Sequence, residues 1–200
     1  MLMTMAELGD ELLIKRIKAN DQKALELLFE KYYFSLCHFA KSFVVSTDLS
    51  EEIVSDVFLK LWLNREKIEI RSSLKAYLFI AIKNQALNLI KKNHFPFENL
   101  DHSELHDLQT ENSAEQPVTY AETEKELLAI IDQLPPQRRT IFKLNRIEGL
   151  MYKEIAEVLS ISVNTVQKQM VEAIKYVSKY KSQFYQLCIN GLALTTFLLA

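Results

Sequence analysis

The sequence predicts an all-α chain: two small helical domains joined by a flexible acidic linker. Three observations lead there. Glycine and proline are scarce, three and four in 200 residues, and hairpins and tight strand–helix turns depend on them. Apolar residues recur at steps of three and four on both sides of the chain's middle. Between His94 and Glu124 that periodicity lapses, and the segment holds eight Asp or Glu residues with no Lys or Arg. Hydrophobic residues make up 48% of the chain, enough for two real cores.

The N-terminal domain is expected over residues 7–93. Its first helix, around Asp10 to Ile17, breaks at Asn20-Asp21. A longer run from Gln22 to Val45 places Leu25, Leu28, Phe29, Tyr32, Tyr33, Leu36 and Phe39 on one helical face. Thr47 and Asp48 offer N-cap oxygens for a third helix, and Asp48 with Glu51 has capping-box spacing. That helix continues through Ile53, Val54, Val57, Phe58, Leu61 and Trp62. Ser72-Ser73 caps a fourth, from Leu74 to about Lys92.

Residues 94–120 read as the linker, because so acidic a segment cannot bury enough apolar surface to offset its ordering entropy. A second domain is expected over 121–182. One helix spans Glu122 to Gln133, and Pro135-Pro136 stops it and opens the next. That next helix runs to Glu148, with Gly149 as its C-terminal stop. Two more follow, near Tyr152 to Leu159 and Val163 to Tyr180. Residues 183–200 form an apolar tail, short of the roughly 20 residues a membrane span needs; packing on the C-terminal domain is its default role, with contact to a partner protein or to a membrane surface as the alternatives.

The stretch Tyr152 to Met170 has the pattern of a helix-turn-helix. Ala156 is small where two helices would cross. Ile155, Leu159, Ile161 and Val166 are apolar where the pair would lock. The turn falls at Ser160-Ile161, and Ser162 can cap the second helix by accepting from the N–H of Asn164 or Thr165. A left-handed backbone at Ser160, where glycine is common, would cost about 1 kcal/mol. With the apolar residues buried, Ser162, Asn164, Thr165, Gln167, Lys168 and Val171 lie on the face that would meet base edges in a major groove.

Net charge is −2 and the sequence pI is near 6.1, which alone argues against a nucleic-acid binder. The distribution of charge says more than its sum. Leu134 to Arg146 carries Arg138, Arg139, Lys143 and Arg146 with no acid. Ser162 to Tyr185 carries Lys168, Lys175, Lys179 and Lys181 against Glu172 alone. Arg71, Lys75, Lys83, Lys91 and Lys92 lie in or just before the fourth helix, again without an acid. Phosphate contacts require such surfaces. The fourth helix also interleaves aromatics and amides with its lysines, a mix that can hold unpaired bases. The third helix has the opposite character: Asp48, Glu51, Glu52 and Asp56 at its entry, and an apolar exit ending in Trp62, the one tryptophan. A face of that kind suits a basic partner helix.

Four stretches in this order carry a resemblance. They are Asp21-Gln-Lys-Ala-Leu-Glu-Leu-Leu-Phe-Glu-Lys-Tyr-Tyr33, Asp48-Leu-Ser-Glu-Glu-Ile-Val-Ser-Asp-Val-Phe-Leu-Lys-Leu-Trp62, Leu74 to Lys92, and Leu134-Pro-Pro-Gln-Arg-Arg together with Gly149 through Ala173. The chain resembles the extracytoplasmic-function group of sigma factors, the two-domain specificity subunits of RNA polymerase. The linker and tail look like the iron-citrate-type regulators of Bacteroides-like bacteria. Asn88 stands where the family often has Asp, and Glu172 where it often has a base.

The resemblance implies a division of labour. Asp48, Glu51, Glu52, Asp56, Leu59 and Trp62 would engage the β′ subunit of core polymerase, with the β subunit also in contact. The loop Asn64 to Ser73 would capture a base flipped from the −10 element, with Arg71, Lys75, Tyr77, Lys83 and Asn84 along its path. Arg138, Arg139, Ser162, Asn164, Thr165, Gln167, Lys168 and Val171 would read the −35 element. A linker of about 27 residues at roughly 3.3 Å each could reach about 90 Å, enough to span two promoter elements. A membrane-anchored anti-sigma protein is a further implied partner.

The residues exclude or disfavour other classes. No carboxylate pair, nucleophile–histidine arrangement or glycine-rich phosphate loop points to an enzyme. His102 and His106 are spaced i, i+4 but fall in the linker, so neither a metal nor a cofactor is expected. Cys37 and Cys188 have no paired spacing, and Cys37-His38 reads as core. The N-terminus lacks a basic region followed by an apolar one, so no signal peptide is expected. The chain is expected to be cytoplasmic and not transmembrane. The rival reading is a helix-turn-helix transcriptional regulator whose N-terminal domain binds a ligand or dimerises, which would bind DNA without polymerase.

Overall fold

A computed structural model of the chain describes residues 9–70, 72–92 and 128–180. The linker 94–120, the tail 183–200, Arg71, His102, His106 and Cys188 lie outside the described residues. Those that are described are helical, without a β-strand among them. They fall in two compact units.

The first unit contains α1 (Asp10–Lys18), α2 (Gln22–Ala40), α3 (Thr47–Leu63) and α4 (Leu74–Lys92), with a short 3-10 turn at Arg65–Lys67. α2 packs on α1, α3 and α4, and α3 packs on α4. The break after α1 is made by Asn20, at φ 68°, a conformation Asn tolerates better than most residues. Asp21 then caps α2 by accepting from the Ala24 N–H at 3.2 Å. The Arg16 guanidinium bonded to Asp21 holds that carboxyl below its usual range. Leu28, Tyr32, Leu36 and Phe39 of α2 are buried, while Leu25, Phe29 and Tyr33 are only half-buried. The anticipated single face therefore has a core stripe and a shoulder. Phe39 meets Phe79 of α4 at 5.0 Å between ring centroids, and Phe79, Leu78 and Ile82 are fully buried.

Two expected boundaries are corrected. α2 ends at Ala40 rather than Val45. The Ser42 hydroxyl donates to the Phe39 carbonyl at 2.7 Å, satisfying an acceptor at the helix end and letting the chain turn. The cap of α3 is Ser46, whose hydroxyl accepts from the Leu49 N–H at 3.3 Å, and not Thr47 or Asp48. Asp48 thus sits in the first turn, where its charge complements the helix dipole. Ser73 does cap α4, accepting from the Ala76 N–H at 3.1 Å. Cys37 is buried, and burial pushes its thiol up, which leaves it an inert core group.

The C-terminal half of the chain holds α5 (described over 128–132), α6 (Pro136–Arg146), α7 (Tyr152–Leu159) and α8 (Val163–Ser178). Pro136 occupies the first turn of α6, where its missing N–H is not needed. α6 stops at Arg146, two residues before the expected Glu148. Gly149 follows at φ 71°, a value that favours glycine. Ile131, Leu134, Ile141, Phe142, Leu144, Val166, Met170 and Val177 form the core.

Ser160, in the turn between α7 and α8, has φ 57°, so the cost anticipated from the sequence is present. Ser160→Gly is expected to raise stability by about 0.5–1 kcal/mol, since relief of the left-handed strain exceeds glycine's extra entropy. A thermal melt checks this, and a lower midpoint for the variant would contradict it.

Candidate nucleic-acid interface

Three surfaces carry the residues singled out above. The first is the outer face of α3. Asp48, Glu51 and Glu52 are exposed, and Leu59 is 55% exposed. Trp62 is half-buried, with the Arg65 guanidinium 4.5 Å from its ring centroid. Leu59 and Trp62 join Leu25, Phe29 and Phe58 along a shallow groove of about 330 Å³ between α2 and α3, rimmed by Glu26 and Glu30. Asp56 departs from the other acids. It turns toward α4, where its carboxylate accepts from Gln85 Nε2 at 2.8 Å.

The second surface is a groove of about 400 Å³ between the end of α3, the loop after it and α4. Asn64, Lys67 and Glu69 line it from the α3 end and loop, and Tyr77, Asn84 and Asn88 from α4. The α4 residues recur at i, i+7 and i+11, which is one helical face. Burial raises the Tyr77 phenol above its usual range, so it stays a protonated donor near neutrality. Two of the expected residues, Tyr77 and Asn84, meet here. Lys75 and Lys83 are not among the lining residues. Lys75 lies instead 5.9 Å from the Tyr32 ring centroid on α2, two residues from Tyr77 and so on another side of α4. Lys60 and Gln85, which also line the groove, were missed. They lie on different helices, 25 residues apart, and no local spacing joins them.

The third surface is the helix-turn-helix. Ile155 and Val166 are fully buried, and Leu159 and Ile161 are half-buried. Ala156 is also buried. The Ser162 hydroxyl accepts from the Thr165 N–H at 3.0 Å, as anticipated, and a second bond joins Ser162 Oγ to Thr165 Oγ1 at 2.8 Å. Ser162, Asn164, Gln167, Lys168 and Val171 are exposed, and Thr165 is half-exposed. So α8 turns a largely polar face away from its core, interrupted by the exposed Val171. A feature the sequence reading passed over is Glu154. It is buried, and its carboxylate accepts from the Met151 N–H at 2.8 Å. Glu three residues into a helix is the acidic half of a capping box, and that spacing was visible.

Arg138 and Arg139 are half-buried on α6. Arg138 Nε donates to Gln169 Oε1 at 3.0 Å, tying α6 to α8. Arg139 donates to the Leu134 carbonyl through Nε and Nη2 at 3.3 and 3.1 Å. Both guanidiniums therefore brace the unit that carries α8. Among the described residues there is no group of His, Cys, Asp and Glu placed to hold a metal ion, and no helix long and apolar enough to cross a membrane.

Residues 28–95 match sigma-70 region 2, and residues 124–177 match sigma-70, region 4. Together they take up more than half of the chain. It belongs to the sigma-70 family. The ECF RNA polymerase sigma-E factor of Haemophilus influenzae is 27% identical over 175 residues, spanning 84% of this chain and 92% of the relative. The RNA polymerase sigma-H factor of Pseudomonas aeruginosa is 26% identical over 178 residues, with 85% and 92% covered. Among solved structures, CnrH in complex with the cytosolic domain of CnrY aligns at TM-score 0.54 and 20% identity, covering 87% of this chain and 97% of that one. The sigma factor RpoE from Bartonella quintana, in complex with the anti-sigma factor NepR, aligns at TM-score 0.53 and 19% identity, covering 80% and 98%. These structures share the fold. As a sigma factor of the extracytoplasmic-function group, the chain directs RNA polymerase in DNA-templated transcription initiation and is not an enzyme.

Proposed function

We propose that the two units divide promoter recognition between them. The α3 face (Asp48, Glu51, Glu52, Leu59 and Trp62, with Asp56 at its inner edge) docks the chain on core RNA polymerase. The groove of Tyr77 and Asn84 takes a base flipped from the −10 element, with Arg71, Lys75 and Lys83 nearer the backbone. Flipping costs a few kcal/mol of unstacking, and an aromatic side chain returns about 1–3 kcal/mol per base. Ser162, Asn164, Thr165, Gln167, Lys168 and Val171 read the −35 element, with Arg138 and Arg139 beside them. The observation that carries this reading is the groove itself, where an aromatic ring, amides and two lysines meet beside the α3 helix.

The CnrH and RpoE structures, each holding a partner named in its own description, support an anti-sigma protein as regulator, here inferred to be membrane-anchored. The short acidic linker and apolar tail support an iron-citrate-regulator-like, Bacteroides-type placement within the group. A cytoplasmic location follows from work on chromosomal promoters.

Run-off transcription on the chain's own upstream region tests the reading. Core polymerase with the chain is expected to start one specific transcript that core alone does not. A footprint by the chain alone, with no transcript in the presence of core, would support a helix-turn-helix regulator instead.

A further inference from the structure

Gln85 sits on α4 with its side chain at the groove. It is held from α3 at both ends of its carboxamide: Lys60 Nζ donates to Oε1, and Nε2 donates to Asp56 Oδ2 at 2.8 Å. These partners fix which way the amide faces. An ammonium can only donate and a carboxylate can only accept. Turning the amide over would set its N–H against a cation and its carbonyl against an anion at the same time. An amide without such partners exchanges donor and acceptor by rotating half a turn, so it tells bases apart poorly.

We propose that Gln85 is a specificity-determining residue for the captured base, and that Lys60 and Asp56 are positioning residues acting through it. This rests on the reading of the groove as the base site and adds to it the residue that chooses. Each partner uses one hydrogen-bonding position of the amide. One N–H and one carbonyl lone pair remain, and their places are set by α3. A site with a fixed donor and a fixed acceptor rejects a base that offers the wrong group, because buried polar atoms would then stay unpaired. Tyr77 supplies stacking that every base accepts, so the groove's aromatic part captures and its clamped amide selects. The helix assigned to polymerase docking also thereby sets the chemistry of the DNA site.

The test is transcription by core polymerase with the full-length chain, on promoters carrying each of the four bases at every −10 position. The native chain is expected to favour one base at one position by about fivefold or more. Gln85→Leu, which removes both hydrogen-bonding groups of the amide, should level the four bases at that position only. Lys60→Met leaves Gln85 in place but frees its carbonyl, and should reduce the preference at the same position. Tyr77→Ala serves as the control for the groove, lowering transcription from all variants alike. If Gln85→Leu lowers all four bases by one factor, or Lys60→Met leaves the preference unchanged, the proposal is overturned. If Tyr77→Ala has its effect while Gln85→Leu keeps the base ratios, the groove stands and only the role of Gln85 falls. If Tyr77→Ala also changes nothing, the base site itself falls and the proposal with it. Should Gln85→Leu fail to fold, Lys60→Met decides, since Lys60 is exposed.

Discussion

Leu59→Asp is expected to weaken binding to core RNA polymerase by roughly a hundredfold, while the isolated chain melts as the native protein does. Leu59 is 55% exposed on α3, so the free protein loses little packing when it is replaced. Its side chain lies beside Phe29, Phe58 and Trp62 along the α2–α3 groove, and a partner helix seated there would cover it. Burying a leucine contributes about 1.5–3 kcal/mol. Placing an unpaired carboxylate in that contact adds a desolvation cost of several kcal/mol more. Glu52→Lys should behave differently. Glu52 is exposed on the same face, so its reversal should slow association and alter the salt dependence more than the dissociation rate. Titration of labelled core with each variant measures both effects. An affinity for Leu59→Asp within threefold of native would remove α3 as the docking helix.

Most of the fold was legible because it depends on local chemistry. The four helices of the first unit follow from apolar steps of three and four and from residues that break them. Asn20 at φ 68° and Gly149 at φ 71° are the punctuation the sequence proposes. Errors fell at helix ends, where neighbouring residues compete for one cap. Ser46, Thr47 and Asp48 all carry an acceptable oxygen. Ser46 takes the role because its backbone is extended, at φ −74° and ψ 133°, while Thr47 is already helical. Only the path of the chain out of α2 decides that, and no spacing rule records the path.

The candidate site was less legible, for a related reason. Residues expected to act from the sequence lie on helices, and the direction each one faces depends on what its helix packs against. α4 buries Leu74, Leu78, Phe79, Ile82 and Ala86. That choice sends Tyr77 and Asn84 to the groove and sends Lys75 toward Tyr32 on α2. Composition marked the helix as basic and could not separate these sides. Asp56 shows the same limit. By charge it belongs with Asp48, Glu51 and Glu52, but its position on α3 hands it to Gln85. The recognition helix was read more fully, because its buried residues, cap and turn are all close in sequence.

That local completeness makes α8 the place for the second large effect. The double variant Gln167→Ala, Lys168→Ala is expected to weaken binding to the upstream promoter element by about 30- to 1,000-fold, leaving core affinity within twofold of native. Both side chains are exposed, on the side of α8 away from Val166 and Met170, which are fully buried. Alanine is a good helix former, so the unit should fold unchanged. The two residues should contribute in distinct ways. Gln167 can pair with the edge of one base, worth about 1–3 kcal/mol of discrimination, so its loss should relax the sequence preference at one position. Lys168 has no acceptor and would reach phosphate, so its loss should weaken all sequences alike and reduce the salt slope by about one. The low affinity expected of a chain with net charge −2 means the measurement belongs with holoenzyme on promoter DNA rather than with the free chain. Loss of core affinity alongside DNA binding would contradict the division of labour between α3 and α8. Unchanged upstream binding would show that the exposed stripe of α8 does not read DNA, whatever its geometry suggests.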